Sequence, residues 1–221
     1  MKSLNFNKEK LKVVIFDFDD TIYNISSWKN WGPYVKEMLT EILGSQDNAE
    51  KFVEKHNISY STNGQQIAVA LIHELGSAKK MCEYLSKNIF DIWAGTTITH
   101  LTNEDFQPII GKYKLYVLSN SPTTYVLKHL EKMGIDENIF DKICQNDFES
   151  NNPTKQVIYK NILKKENLKP DEAVMIGDSY LNDIVPAVEL GMQGVWINGL
   201  DEVRKIIEEL AQTCENELKL C

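Results

Sequence analysis

The stretch VVIFDFDDTIY, Val13 to Tyr23, runs four apolar residues straight into three carboxylates within four positions. Lys12 to Phe16 read as a short buried strand, because β-branched and aromatic side chains suit a pleated surface covered on both faces. Side chains alternate along a strand, so Val13, Ile15 and Asp17 share a face, and Asp19 joins them if the extended backbone persists. Carboxylates that close raise one another's pKa unless a cation neutralises them. A hard divalent ion does so, and Mg2+ commonly takes one or two carboxylates together with substrate phosphate oxygens. The plainer reading of the same residues is a solvated acidic turn.

Strand signals recur outward from this point, at Leu115 to Leu118, Ala173 to Ile176 and Gly194 to Ile197, with a weaker one at Lys142 to Cys144. The polar, turn-forming clusters DFDDT, SNSPT and GDSYLND follow directly on the runs that end at Phe16, Leu118 and Ile176. Strands alternating with helical patterns imply an α/β fold, a Rossmann-like, mainly parallel sheet with helices on both faces. Such sheets bind ligands beyond the carboxyl ends of their strands, so the three clusters point to one shared site. Residues 24–100 break the alternation with helical patterns alone. In one of them Ile67, Ala70, Leu71 and Leu75 keep amphipathic spacing, and Gly44, Gly76 and Gly95 suit helix ends. The expected division is a core made of residues 1–22 and 101–221, with a separate helical bundle over 23–100. The closing helix is expected to pack through Val203, Ile206, Ile207 and Leu210.

A chain of 221 residues with 43% hydrophobic and 25% charged residues fits one soluble domain carrying an insertion. Its formal charge of −8 argues against a general nucleic-acid binder. No apolar run approaches the roughly 20 residues that span a bilayer, and MKSLNFNKEK lacks the apolar stretch of a signal peptide. A cytoplasmic protein with no membrane partner is expected. Its four cysteines form no CxxC pair and are read as reduced thiols.

Three further segments bear chemistry. In LSNSPTTYVLKHLEKMG, Ser121 suits the N-cap of a helix, with Pro122 at the first position and Gly134 at the end. A helix N-terminus with nearby hydroxyl and amide donors is a ready phosphate site, and Ser119 and Asn120, which a cap leaves unassigned, are its candidate ligands. In NNPTKQVIYKNIL, Asn152 reads as N-cap, Pro153 as first position and Lys155 as a first-turn cation that opposes the helix dipole. Lys160 is the alternative lysine. In VMIGDSYLND, Asp178 and Asp183 form an acidic pair, and Gly177 lets the backbone turn beside it.

Taken together these segments resemble, in order, the four motifs of the haloacid dehalogenase-like (HAD) hydrolase superfamily. DFDDT is similar to its Asp-x-Asp-x-Thr motif, Ser119 to its Ser or Thr at a strand end, Lys155 to its lysine, and GDSYLND to its Gly-Asp-x-x-x-x-Asp. Many relatives have Lys-Pro at the start of the lysine helix, where this chain has Asn152. The helical insert stands where the family's first type of cap domain is inserted. The resemblance implies a Mg2+-dependent phosphomonoester hydrolase of the phosphatase branch, acting through an aspartyl-phosphate on a small phosphorylated metabolite. A nucleotide, a sugar phosphate and another small phosphorylated metabolite all fit. Asp17 is implied as nucleophile and metal ligand, Asp19 as general acid and base with its carbonyl on the metal, and Asp178 and Asp183 as further metal ligands. Ser119, Asn120 and Lys155 are implied for phosphate. A phosphomutase, a 2-haloacid dehalogenase and a non-catalytic binding protein of the same fold are the competing readings; retention of Asp19 argues against the last two. Tyr23 and Trp28 are candidate substrate contacts, with Trp28 and Trp31 alternatively plain bundle core. His56 and His73 read as packing residues, and Asp20 as turn geometry.

Overall fold

The structure, a computed structural model, describes residues 7–25, 31–62, 64–93, 98–145 and 154–212. Strand β1 (Val13–Phe16) is fully buried along its whole length, as its unbroken apolar run requires. It is followed by β2 (Tyr23–Ile25) and by helices α1 (Trp31–Leu43), α2 (Gln46–Lys55), α3 (Gly64–Leu75) and α4 (Lys79–Trp93). Strand β3 (Ile98–His100) then pairs with β2. Next come α5 (Asn103–Phe106), β4 (Lys114–Ser119), α6 (Thr123–Met133), β5 (Lys142–Gln145) and α7 (Gln156–Glu166). The described chain closes with β6 (Ala173–Gly177), α8 (Val185–Glu189), β7 (Gln193–Trp196) and α9 (Leu200–Gln212).

The main sheet has the order β5-β4-β1-β6-β7 and is parallel throughout. Its register brings the strand ends level: Phe16 pairs with Val117 on one side and Ile176 on the other. Asp17, Ser119 and Asp178 therefore emerge at the same edge. On one face Val13, Ile15, Tyr116, Leu118, Ala173 and Met175 pack against Tyr159, Ile162, Leu163, Ile184 and Ala187 from the following helices. On the other, Phe16 meets Phe106 edge to face at 5.6 Å. Each such large apolar side chain contributes roughly 1.5–3 kcal/mol on burial, enough to carry a few costly polar groups at the sheet's edge. Helix α9 buries Val203, Ile206, Ile207 and Leu210, the face expected for it.

The described residues fall into two compact units: those within Met1–Asn24, Ile98–Asp147 and Asn152–Cys221, and those within Ile25–Thr97. The division places Tyr23, Asn24 and β3 with the sheet. In the helical unit Tyr34, Val35, Met38, Leu39, Phe52, Ile67, Leu71 and Tyr84 form the core. Leu75, expected on the buried face of α3, is 47% exposed at the helix end. Trp31 packs against that core and its Nε1–H donates to the carbonyl of Thr62 at 2.8 Å.

Two helix starts differ from expectation. Helix α6 begins at Thr123 with Pro122 as its N-cap, and Ser121 does not cap it. Its C-terminus follows the sequence, with Gly134 in the left-handed region at φ 70°. Helix α7 begins at Gln156, so Lys155 is the residue before the first turn and not within it. Asn152 and Pro153 lie outside the described residues.

Candidate active site

The backbone N–H of Asp17 donates to the carbonyl of Ile176 at 2.9 Å, which carries the β1–β6 ladder one step past the strand and fixes Asp17 at the sheet edge. Its carboxylate is buried and Oδ1 accepts from Lys155 Nζ. The same ammonium donates to Asp183 Oδ1 at 2.7 Å and to the carbonyl of Leu118 at 3.1 Å. Three protons thus meet three acceptors, and Lys155 is satisfied although only 2% exposed. Burial by itself lowers the lysine's pKa, but Asp17 and Asp183 outweigh it and hold it above the usual value. Burial pushes Asp17 well above the ordinary carboxylate range; Lys155 opposes this, while Asp183 and Asp19 add to it.

Asp19 has different company. A tight turn, in which the N–H of Ile22 donates to the carbonyl of Phe18 at 2.9 Å, stacks residues four apart. Tyr23 Oη accordingly donates to Asp19 Oδ1 at 2.5 Å, and Asn24 Nδ2 to Asp20 Oδ1 at 3.0 Å. The other oxygen, Asp19 Oδ2, accepts from the hydroxyls of Ser119 and Ser121, each at 3.3 Å. Asp19 is also raised by burial, against which the Tyr23 hydrogen bond acts most strongly. Ser119 is fully buried, and its Oγ accepts the N–H of Ser121 at 2.9 Å, so it shapes the loop after β4 as well as touching Asp19. Ser121, read as a helix cap, turns its hydroxyl to a carboxylate instead, because a charged acceptor outbids an exposed helix end. Asn120 stands half-buried on the same loop.

Of the acidic pair, Asp178 directly follows β6 and Asp183 sits on the π-helical turn, Tyr180–Ile184, that comes next. Asp183 Oδ2 accepts the N–H of Ser179 at 3.0 Å, and Tyr159 Oη donates to the Asp183 carbonyl at 3.1 Å. Gly177, expected to ease a backbone turn, does not have a positive φ, and the need there is for space. A Cβ there would lie 2.3 Å from Asp183 Oδ2. Asp178 is raised to about 6, by burial first and then by Asp183 and Asp20. Its carbonyl accepts Trp196 Nε1–H at 2.7 Å.

One carboxylate oxygen each from Asp17, Asp178 and Asp183 lie within 4.8 Å of one another. Ionised groups at that separation repel by roughly 3 kcal/mol per pair at an effective dielectric of about 20. The single ammonium of Lys155 offsets only part of this. An all-oxygen donor set with surplus negative charge fits a hard divalent cation such as Mg2+.

The other sequence candidates fall elsewhere. Tyr23, expected to touch substrate, is 2% exposed and its hydroxyl is bonded to Asp19. Trp28 lies outside the described residues. Lys160 is exposed and donates to Gln156 Oε1. His56 pairs with Glu74 and rests edge-on against His73, as packing residues do. Asp20 adopts φ 56°, which agrees with its reading as turn geometry. The sequence reading gave no role to Tyr159 or Trp196. Tyr159 lies four residues after Lys155, a spacing that puts both on one helical side; for Trp196 no local signal exists.

A family model described as haloacid dehalogenase-like hydrolase matches residues 14–197. The chain belongs to this family, in its phosphatase branch. It is 30% identical over 208 residues to the glyceraldehyde 3-phosphate phosphatase of Pyrococcus abyssi, covering 84% of this chain and 81% of that protein. It is 27% identical over 209 residues to the protein of the same name from Pyrococcus furiosus, covering 85% and 80%. A phosphatase structure of the same family from Thermococcus onnurineus superposes with a TM-score of 0.57 at 25% identity, over 85% of this chain and 86% of that one. No helix among the described residues is long and apolar enough to cross a membrane.

Proposed function

We propose that this phosphatase hydrolyses a small sugar phosphate through an aspartyl-phosphate on Asp17, with Asp19 as general acid and base. The observation that carries the reading is the unlike setting of two neighbouring carboxylates. Asp17 is gripped by an ammonium and faces further acids, whereas Asp19 is surrounded by neutral hydroxyls. Without a metal, burial raises both carboxyls. A divalent cation on the cluster of Asp17, Asp178 and Asp183 would favour the anion at Asp17, while the carboxyl of Asp19, outside that cluster, would keep its proton to give.

Asp17 would attack the phosphorus of the monoester while the P–O bond to the alcohol breaks, and Asp19 would give the departing oxygen its proton. Asp19, now ionised, would take a proton from the water whose oxygen attacks the phosphorus of the aspartyl-phosphate. Inorganic phosphate leaves and both carboxyls return to their starting states. Lys155 would hold Asp17 and Asp183 in place, and Ser119 and Asn120 would donate to phosphoryl oxygens. Mg2+ would be held by Asp17, Asp178 and Asp183 with the carbonyl of Asp19, and it supplies charge that offsets the phosphoryl oxygens. A haloacid dehalogenase has no need of a proton carrier, since halide leaves unprotonated; the hydroxyls around Asp19 favour an alcohol leaving group. The named relatives support a triose phosphate as the substrate class, and residues 25–97 would serve as the cap domain. Phosphate release across a panel of sugar phosphates, nucleotides and other phosphoesters with Mg2+ tests this. Turnover of a triose phosphate above the rest, abolished in Asp17→Asn, is expected. Equal turnover by Asp17→Asn, or silence across the panel, would overturn it.

A further inference from the structure

Tyr23 binds the tighter of the two oxygens of Asp19. Its hydroxyl reaches Oδ1 at 2.5 Å, whereas Oδ2 has only the two longer contacts, at 3.3 Å, from Ser119 and Ser121. The tyrosine itself has little freedom. It is 2% exposed, its ring packs on Phe18 at 5.0 Å and on His129 at 5.1 Å, and its hydroxyl lies 3.5 Å from that of Tyr125. The backbone just before it is tied down as well, since Leu101 N–H donates to the carbonyl of Ile22 at 2.9 Å. His129 stands behind the ring, with Nδ1–H donating to the Tyr125 carbonyl at 2.9 Å, and burial lowers its pKa to about 3, so this wall is uncharged. A rigid, neutral donor aimed at one oxygen of a carboxyl fixes that group's torsion and distinguishes its two oxygens.

We propose that Tyr23 is a positioning residue for proton transfer: by occupying Asp19 Oδ1 it leaves Oδ2 as the oxygen that passes the proton to the leaving group. The inference rests on the reading of Asp19 as proton carrier. No change in metal affinity or in the identity of the nucleophile is involved. Loss of the hydroxyl leaves the Asp19 carboxyl held only through the two longer contacts on Oδ2, so its torsion loosens, and the loss shows only where the leaving group needs a proton.

The test compares kcat/KM of Tyr23→Phe for a simple alkyl phosphate and for p-nitrophenyl phosphate, whose phenolate departs with little help. Because kcat/KM reports the steps up to the first irreversible one, it reads departure of the leaving group and not hydrolysis of the aspartyl-phosphate. Measured in competition, the ratio is independent of the folded fraction. Tyr23→Phe should cut the alkyl value about tenfold or more while moving the aryl value less than about threefold. Asp19→Asn should show the same selectivity more strongly. If Asp19→Asn is unselective, the reading of Asp19 itself fails, and the inference with it. If Asp19→Asn is selective but Tyr23→Phe lowers both substrates equally, or yields no folded protein, the hydroxyl serves the fold and the inference alone is overturned.

Discussion

Asp17 and Asp20 stand three positions apart in one acidic run, and the structure treats them in opposite ways. Asp17 is buried against Lys155; Asp20 is exposed, at φ 56°, with its carboxylate on Asn24. A non-glycine residue in that region costs on the order of 1–2 kcal/mol, similar to the roughly 1 kcal/mol its hydrogen bond returns. Asp20→Gly should therefore leave the melting temperature and turnover close to wild type, while Asp17→Asn abolishes turnover; steady-state assays with a thermal melt check both. Lys155→Met leaves Asp17 and Asp183 buried without their counter-charge, and should cost about 3–5 kcal/mol. Denaturant unfolding of the metal-free protein reads that loss, and an unchanged midpoint would show the ion pair to be dispensable. At this scale the sequence was most informative where a residue's chemistry is unusual for its place. Asp17, Asp19 and Lys155 stood out because charges at a strand end or helix start break local rules. Ser121 misled because the Ser-Pro signal for a cap is sound, and only the fold brings Asp19 within reach of the hydroxyl. Tyr23 was legible as a residue near the site but not as a partner of Asp19. Its four-residue spacing gains meaning only in a turn that the apolar pattern does not announce.

The acidic cluster is a property of elements: β1 delivers Asp17, and the turn after β6 delivers Asp178 and Asp183. Burial and mutual repulsion raise Asp178 from 3.8 to about 6 and raise Asp17 as well. Groups whose folded pKa lies above the unfolded value keep protons that the unfolded chain has already lost. The native state then binds more protons from about pH 4 to about pH 6, and metal-free stability falls as pH rises through that window. Mg2+ should accordingly raise the melting temperature more at about pH 7.5 than at about pH 5. Scanning calorimetry with Mg2+ and with EDTA measures this, and an Mg2+ effect that shrinks as pH rises would contradict it. Gly177 makes the element possible, because a Cβ would collide with Asp183 Oδ2. Gly177→Ala should keep the sheet yet lose most of the Mg2+-induced shift, as circular dichroism and melting curves will show. The sequence marked this glycine correctly and gave the wrong reason, since close approach across a turn is invisible in a linear chain. Helix α7 shows the same limit: Pro153 pointed to an earlier start than the one at Gln156.

At the level of the whole molecule, the parallel order β5-β4-β1-β6-β7 puts the carboxyl ends of β1, β4 and β6 side by side. Segments more than a hundred residues apart in sequence thereby share one edge. The apolar runs of β1 and β6 announced themselves because strands covered on both faces cannot carry polar residues; strand bounds shifted by a residue or so, as in β1, which begins at Val13 and not Lys12, and in β7. The short pair β2 and β3 was not foreseen, being three residues each with no alternation to read. With a net charge of −8, attraction of a phosphate would fall to Lys155 and the proposed Mg2+, so turnover should weaken sharply on chelation. The account stands or falls on covalent chemistry at Asp17. Protein mixed with Mg2+ and p-nitrophenyl phosphate, then quenched into borohydride, should yield homoserine at position 17 on peptide mapping, by reduction of the aspartyl-phosphate. Steady phosphate release with Asp17 recovered unmodified, and the same release from Asp17→Asn, would contradict it.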